Sequence, residues 1–172
     1  MEILDLYDKD RQKMDETMVR GGTYLDERYH LVVHVCIFSK DGQMLIQKRR
    51  DSKDRWPGLW DVSVGGAAVT GDTSETAAER ETLEELGVEI DLKGIRPHCS
   101  INFERGFDDI YLVEKELDIA ALELPTEEVE AVQWAECDEI MEMIDEETFI
   151  HYKKTFIKML FEMRHSYGTI YD

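Results

Sequence analysis

The nine residues RETLEELGV, Arg80 to Val88, decide how the rest of the chain is read. At 3.6 residues per turn, Glu81, Glu84 and Glu85 stand at i, i+3 and i+4 and share one face of a helix. Like charges at that spacing cost about 0.2–0.5 kcal/mol per pair. Leu83 and Leu86 fall on the opposite face, which predicts a helix that packs on its leucines and turns its carboxylates outward. Two readings follow. The carboxylates form an ordinary solvated acidic face, or they surround a divalent cation that removes their repulsion. The helix alone leaves both open.

Moving outward, the helix is predicted from about Ser74 to Leu86, with Asp72 as N-cap, Glu75 three residues on, and Gly87 as the stop. Upstream, YHLVVHVCIF is rich in β-branched and aromatic residues and reads as a long buried strand. Asp41-Gly42 signals a hairpin turn, so QMLIQKRR is expected to return as its partner. WDVSVGGAAV reads as a further strand after the WPGLW turn. ILDLY and the residues around ETMVR predict a small N-terminal β-hairpin over about 1–20. Downstream, strands are expected near Val88–Ile90, Pro97–Glu104, Phe107–Glu114 and VEAVQWAE. Helices are expected over Asp138–Ile144 and Glu147–Arg164. Phe149, Phe156, Leu160 and Met163 form an apolar stripe that docks the last helix on the core. With no repeat and no Pro/Gly/Ser-rich linker, residues 1–172 read as one α/β domain on a mixed sheet.

The formal charge of −19 argues against a nucleic acid polymer, whose phosphates require a basic face, and against an anionic membrane surface. No apolar run approaches membrane-spanning length, and MEILDLYDKD lacks the features of a signal peptide. Cys36, Cys99 and Cys137 are scattered, as suits free thiols in a reducing cytoplasm. A small anion could still bind through a metal ion or a local basic patch. Lys48, Arg49, Arg50, Lys53 and Arg55 supply the densest such patch.

From Gly66 the sequence runs GAAVTGDTSETAAERETLEELGV. It resembles the Nudix box, Gly-x5-Glu-x7-Arg-Glu-U-x-Glu-Glu-x-Gly-U, where U is a bulky apolar residue. Gly66, Arg80, Glu81, Glu84, Glu85, Gly87 and Val88 match without a gap. Asp72 replaces the first glutamate and Thr82 the first U. The resemblance implies the Nudix fold, an α/β/α sandwich on a mixed β-sheet with the box as a loop–helix–loop. It also implies Mg²⁺- or Mn²⁺-dependent attack of water on a diphosphate linkage. Glu81 and Glu85 would then be metal ligands with Glu84 as a third, Arg80 their orienter, and Gly66 a close backbone approach to the ion. Asp72 keeps its capping role, one methylene shorter in reach. A further catalytic glutamate often comes from a downstream loop in this family, and Glu128, in the run Glu127, Glu128, Glu130, is the candidate. The general base is one of Glu81, Glu84 and Glu128.

Outside the box, YHLVVHVCIF…QKRRDSKDRWPGLWDVSVGG is similar to the isopentenyl-diphosphate isomerase branch of that superfamily. By that likeness His30 falls on a metal-ligand position, and Arg49 and Lys53 on diphosphate-binding positions. The isomerase catalytic Cys and second metal His, however, fall on Gly65 and Ala67, which cannot perform those roles. His30 is read as a ligand or as a hydrogen-bonded cleft residue, and Trp60 as a base-stacking residue or as sheet-edge packing. The expected function is a metal-dependent Nudix hydrolase of a small diphosphate, in a nucleoside di- or triphosphate or a nucleoside diphosphate linked to another group. The alternatives are a hydrolase or isomerase of a prenyl-type diphosphate and a non-catalytic nucleotide sensor. Homodimers are frequent in the family.

Overall fold

The computed structural model describes residues 2–124, 126–168 and 170. In chain order its elements are β1 (Ile3–Tyr7), β2 (Lys13–Val19), β3 (His30–Phe38), β4 (Met44–Arg49), β5 (Trp60–Asp61), β6 (Val64–Ala67), α1 (Ser74–Leu86), β7 (Cys99–Phe103), β8 (Gly106–Glu114), β9 (Val129–Ala135), α2 (Cys137–Asp145) and α3 (Lys154–Met163). A mixed seven-stranded sheet runs β5-β4-β3-β8-β7, with β6 also on β3 and β9 also on β4. The β3–β8 pair is parallel and the other pairs of this sheet are antiparallel. The long apolar run of β3 is explained by burial on both faces. Leu31, Val33, Val35 and Ile37 meet Ala77, Ala78 and Leu86 of α1 on one side. Cys36 and Phe38 meet Ile140 of α2 and Ile157, Leu160 and Phe161 of α3 on the other. The result is a three-layer α/β/α sandwich.

Asp41-Gly42 does make the turn after β3, with Gly42 at φ 87°. The strands it joins, however, do not form the expected ladder. β3 and β4 pair only at Phe38–Met44, and β4 runs beside β9 instead. The predicted single strand WDVSVGGAAV is two short strands, β5 on β4 and β6 on β3. This segment crosses the gap where β3 and β4 splay apart. Ser63 stitches the gap: its hydroxyl accepts from the Ile37 amide at 2.8 Å and donates to the Leu45 carbonyl at 2.5 Å. A splayed pair leaves backbone groups without ladder partners, and a buried hydroxyl satisfies two of them.

Two other expectations shift. Val88–Ile90 forms no strand, although Val88 is buried. The last helix starts at Lys154, not near Glu147, because the preceding residues lie along β5: Trp60 N–H donates to the Thr148 carbonyl, and the Trp60 carbonyl accepts from Ile150 N–H. Phe149 therefore enters the same core from an extended segment. The β1–β2 hairpin is clasped to the loop before α1, where Thr70 N–H donates to the Ile3 carbonyl at 2.8 Å and Gly71 N–H to Asp5 Oδ2 at 3.0 Å.

Ser63→Ala leaves a buried amide and a buried carbonyl unpaired and is expected to cost about 1–3 kcal/mol. Urea denaturation measures it. A cost near zero would show that the two splayed strands find other partners.

Candidate active site

Helix α1 is capped by Thr73, not Asp72: the Thr73 hydroxyl accepts from the Thr76 amide, and the Thr76 hydroxyl answers to the Thr73 amide. Gly87, at φ 69°, closes the other end. The freed Asp72 carboxylate instead accepts from Arg80 Nη2 at 2.8 Å and Nε at 3.2 Å and from the Val69 amide.

α1 buries one of its two leucines, Leu86, and leaves the other outside, while two of the carboxylates expected to face outward are buried with it. Leu83 is 49% exposed, whereas Glu81 and Glu85 are 6% and 1% exposed. The two glutamates lie one turn apart on the side that also buries Ala77, Ala78 and Thr82. Small neighbours let this face approach the sheet closely. The approach is closest at Gly66 in β6, where an added Cβ would stand 2.1 Å from the Glu81 carboxyl carbon. With the Glu81 carboxylate in that position, only glycine fits there.

Arg80 holds three carboxylates at once, with Nη1 at 2.9 Å from Glu81 and 3.0 Å from Glu84, and Nη2 on Asp72 and the Ala67 carbonyl. Glu84 stays exposed. Glu85 receives no such cation; its carboxylate accepts from the Gln47 amide of β4 at 2.7 Å. Burial, opposed by that hydrogen bond and reinforced by the charges of Glu81, Glu128 and Asp61, pushes the Glu85 acid up to about 8. Burial also raises Glu81, against the pull of Arg80.

The basic loop after β4 is tied to the loop before β9. Lys53 Nζ pairs with Glu128 at 2.6 Å, Arg50 N–H donates to the Glu128 carbonyl, and Arg50 Nη1 donates to the Thr126 carbonyl. The Thr126 hydroxyl donates to the Glu85 carbonyl at 3.1 Å. Lys53 and Glu128 thus meet beside the box. Arg49 is largely buried, 3.5 Å from Asp61 and donating to the Arg55 carbonyl. Trp60 packs against the second core and bridges to Phe149. His30 lies between Tyr24 and Phe103. Gln47 and Asp61 were not picked out from the sequence. Gln47 could have been, as a polar residue following the apolar run MLI with which it is buried. Asp61 gives no comparable signal.

Among the described residues no three His, Cys, Asp or Glu side chains already converge on one point, since Arg80 draws Glu81 and Glu84 while Glu85 turns to Gln47. The donor chemistry nevertheless suits a hard cation. Of two buried carboxylates on one helical face, Glu81 shares a single arginine with Glu84 and Asp72 and Glu85 has none, and their oxygens are the ligands that Mg²⁺ and Mn²⁺ accept. At the isomerase-like positions, Gly65 lies opposite His34 in register, and an added Cβ would come within 2.7 Å of its ring. That space is occupied by the imidazole.

The NUDIX domain pattern matches residues 28–158. An uncharacterized Nudix hydrolase of Listeria innocua is 42% identical over 166 residues, covering 96% of this chain and 97% of that protein. An isopentenyl-diphosphate Delta-isomerase of Salmonella heidelberg is 38% identical over 120 residues, 65% of each chain. Among solved structures, DR0079 from Deinococcus radiodurans is similar with a TM-score of 0.73 at 25% identity, over 97% of this chain and 100% of that one.

The raised Glu85 acid has a signed consequence. Its folded value near 8 lies above the ordinary 4.5, so its contribution to stability is complete below about 4.5 and is lost as pH rises through about 8. In EDTA, urea melts from about pH 5 to about 9 are expected to show falling stability. Glu85→Gln flattens the fall. Mn²⁺ restores stability most at the alkaline end, where it no longer competes with a proton. A wild-type profile as flat as that of Glu85→Gln would remove the buried-acid assignment.

Proposed function

Because the chain belongs to the Nudix hydrolase family, we propose that it uses a divalent cation to hydrolyse a phosphoanhydride bond. The substrate proposed is a nucleoside di- or triphosphate, or a nucleoside diphosphate linked to another group. The observation that supports this most directly is the buried Glu81–Glu85 pair, short of countercharge and adjoining the Lys53–Glu128 contact.

Glu81 and Glu85 would hold the cation, with Glu84 and the Gly66 backbone completing its protein contacts. A bound Mg²⁺ or Mn²⁺ supplies neutralisation of the diphosphate charge and an acidified water. Arg80 fixes the orientation of Glu81 and Glu84 through its anchor on Asp72, so the carboxylates do not need to be collected at each turnover. Glu128 has its carboxylate partly exposed and its charge reaches Glu85. In this reading Glu128, rather than Glu81 or Glu84, takes a proton from the attacking water, and Lys53, released from Glu128 as it does so, turns to a phosphate oxygen. Arg49 supplies a second positive charge at the end of β4.

Isomerisation of a prenyl-type diphosphate is disfavoured, because Gly65 and Ala67 offer neither an acid for a carbon centre nor a metal ligand. A nucleotide sensor would have no need of the Arg80-held set of acids.

A Mg²⁺-dependent product screen over nucleoside di- and triphosphates, nucleotide sugars, ADP-ribose, dinucleoside polyphosphates and isopentenyl diphosphate tests the proposal. Products are expected with metal and wild-type protein, and none with folded Glu85→Gln. Tight nucleotide binding with no turnover anywhere in the screen would establish the sensor instead. Lys53→Ala is expected to raise KM more than it lowers kcat; unchanged values of both would end its phosphate role. Gly66→Ala is expected to remove turnover through collision with Glu81, and wild-type rates would show that the helix can retreat.

A further inference from the structure

A run of polar side chains crosses the gap where β3 and β4 splay apart, and the reaction described above gives it no task. His34 Nδ1 of β3 lies 2.7 Å from Asp108 Oδ1 of β8, and its Nε2 lies 3.5 Å from the Tyr152 hydroxyl. That hydroxyl donates to Asp61 Oδ1 of β5 at 2.9 Å. The Val62 amide also donates to Oδ1, at 2.8 Å, so the carboxylate is held from two sides. Asp61 Oδ2 in turn stands 3.5 Å from Arg49 Nη1 at the end of β4. Burial opposes charge on His34, but Asp108 outweighs it and raises the imidazole above the ordinary histidine range. Acid, base, hydroxyl, acid and base thus follow one another from β8 to β4.

Register decides which way Asp61 faces. It is the cross-strand partner of Gln47, so the two side chains share a face of the sheet. The Gln47 amide holds Glu85 at 2.7 Å, and the charge of Asp61 reaches Glu85 as well. Asp61 therefore looks toward the box, whereas its neighbour Trp60 packs into the second core. Tyr152 packs against that second core too, and its hydroxyl meets Asp61 through the gap. Packed apolar side chains would bridge two splayed strands at no greater cost than buried charges. What the polar run adds is orientation, and Arg49 is where it ends. The Arg49 side chain is largely buried. Its Nε and Nη2 both donate to the Arg55 carbonyl, at 3.3 and 3.2 Å, which uses the side edge of the guanidinium. Among the described residues Nη1 makes no hydrogen bond; Asp61 attracts it from beyond the usual hydrogen-bond range. The remaining edge, Nη1 with the second N–H of Nη2, is left to receive an oxyanion in the bidentate manner.

We infer that Asp61 and Tyr152 are positioning residues for phosphate binding. Tyr152, anchored by His34 and Asp108, fixes the Asp61 carboxylate, and Asp61 aims the Arg49 guanidinium at a phosphate oxygen of the substrate. The inference rests on the hydrolase reading above, which puts a diphosphate beside Glu81 and Glu85, and it specifies how Arg49 serves there. An arginine held in place before the substrate arrives does not have to be ordered by it.

The probe is methylenediphosphonate, a diphosphate that cannot be hydrolysed, titrated with Mg²⁺ into the full chain by calorimetry. Arg49→Gln is expected to weaken binding about tenfold. Asp61→Asn is expected to weaken it about fivefold, the scale of re-ordering one long side chain, and Tyr152→Phe by less. The deciding result is the double variant. Asp61→Asn combined with Arg49→Gln is expected to bind no more weakly than Arg49→Gln alone, because Asp61 acts only through Arg49. Losses that add would mean a general structural role and overturn the inference. Unchanged affinity in both Asp61→Asn and Tyr152→Phe overturns it too, and so does a wild-type protein that binds no diphosphate. Should Asp61→Asn fail to fold, Tyr152→Phe, which removes one hydroxyl, closes the same cycle with Arg49→Gln. No turnover enters this readout. Non-additive binding with no products in the substrate screen would keep the positioning role and remove the hydrolase. Products with additive binding would do the reverse.

Discussion

Two carboxylates are driven into a space between a helix and a splayed sheet, and much of the surrounding structure answers to that constraint. Isolated, ionised acids do not survive burial without compensation. Glu81 obtains an arginine, and that arginine is itself held by Asp72 and the Ala67 carbonyl. Glu85 obtains only an amide and keeps its proton up to about pH 8. Gly66 gives up its side chain so that the helix can come close enough. Under the proposed function, in which the pair receives a cation, these features become intelligible together.

The spacing of the box residues was readable in the sequence because it is local: one helix and one loop contain it. The orientation of the helix was not. Leu83 and Leu86 both read as inward-facing, but only Leu86 is buried; the sheet accepts the face that carries it together with Ala77, Ala78 and Thr82, whose small volume permits the approach that Gly66 completes. Helical periodicity names two faces without saying which one the sheet will take. The strands followed the same division. β3, β8 and β9 announce themselves by composition. The departure of β4 from β3 depends on Ser63 and on the pairing of β4 with β9, more than eighty residues away in sequence. Asp72 looked like a cap because it precedes the helix, yet Thr73 is one residue better placed, and Asp72 is thereby free to anchor Arg80.

The isomerase likeness illustrates how a shared frame can be emptied of one chemistry. Where a side chain at position 65 would project, His34 fills the volume, paired with Asp108 at 2.7 Å and approached by the Tyr152 hydroxyl, which in turn donates to Asp61 at 2.9 Å. The α3 side of the sheet is thereby closed by a hydrogen-bonded chain of side chains, while the α1 side keeps its carboxylates.

The β1–β2 hairpin clasps the loop before α1 through Ile3 and Asp5, yet it lies wholly outside residues 28–158, the region that matches the family pattern. A lineage could therefore lengthen or replace this hairpin without altering a residue of the box, and the change would reach the box only through the Thr70–Gly71 loop that the hairpin grips. Support for the box and the box itself would vary on different stretches of the same gene.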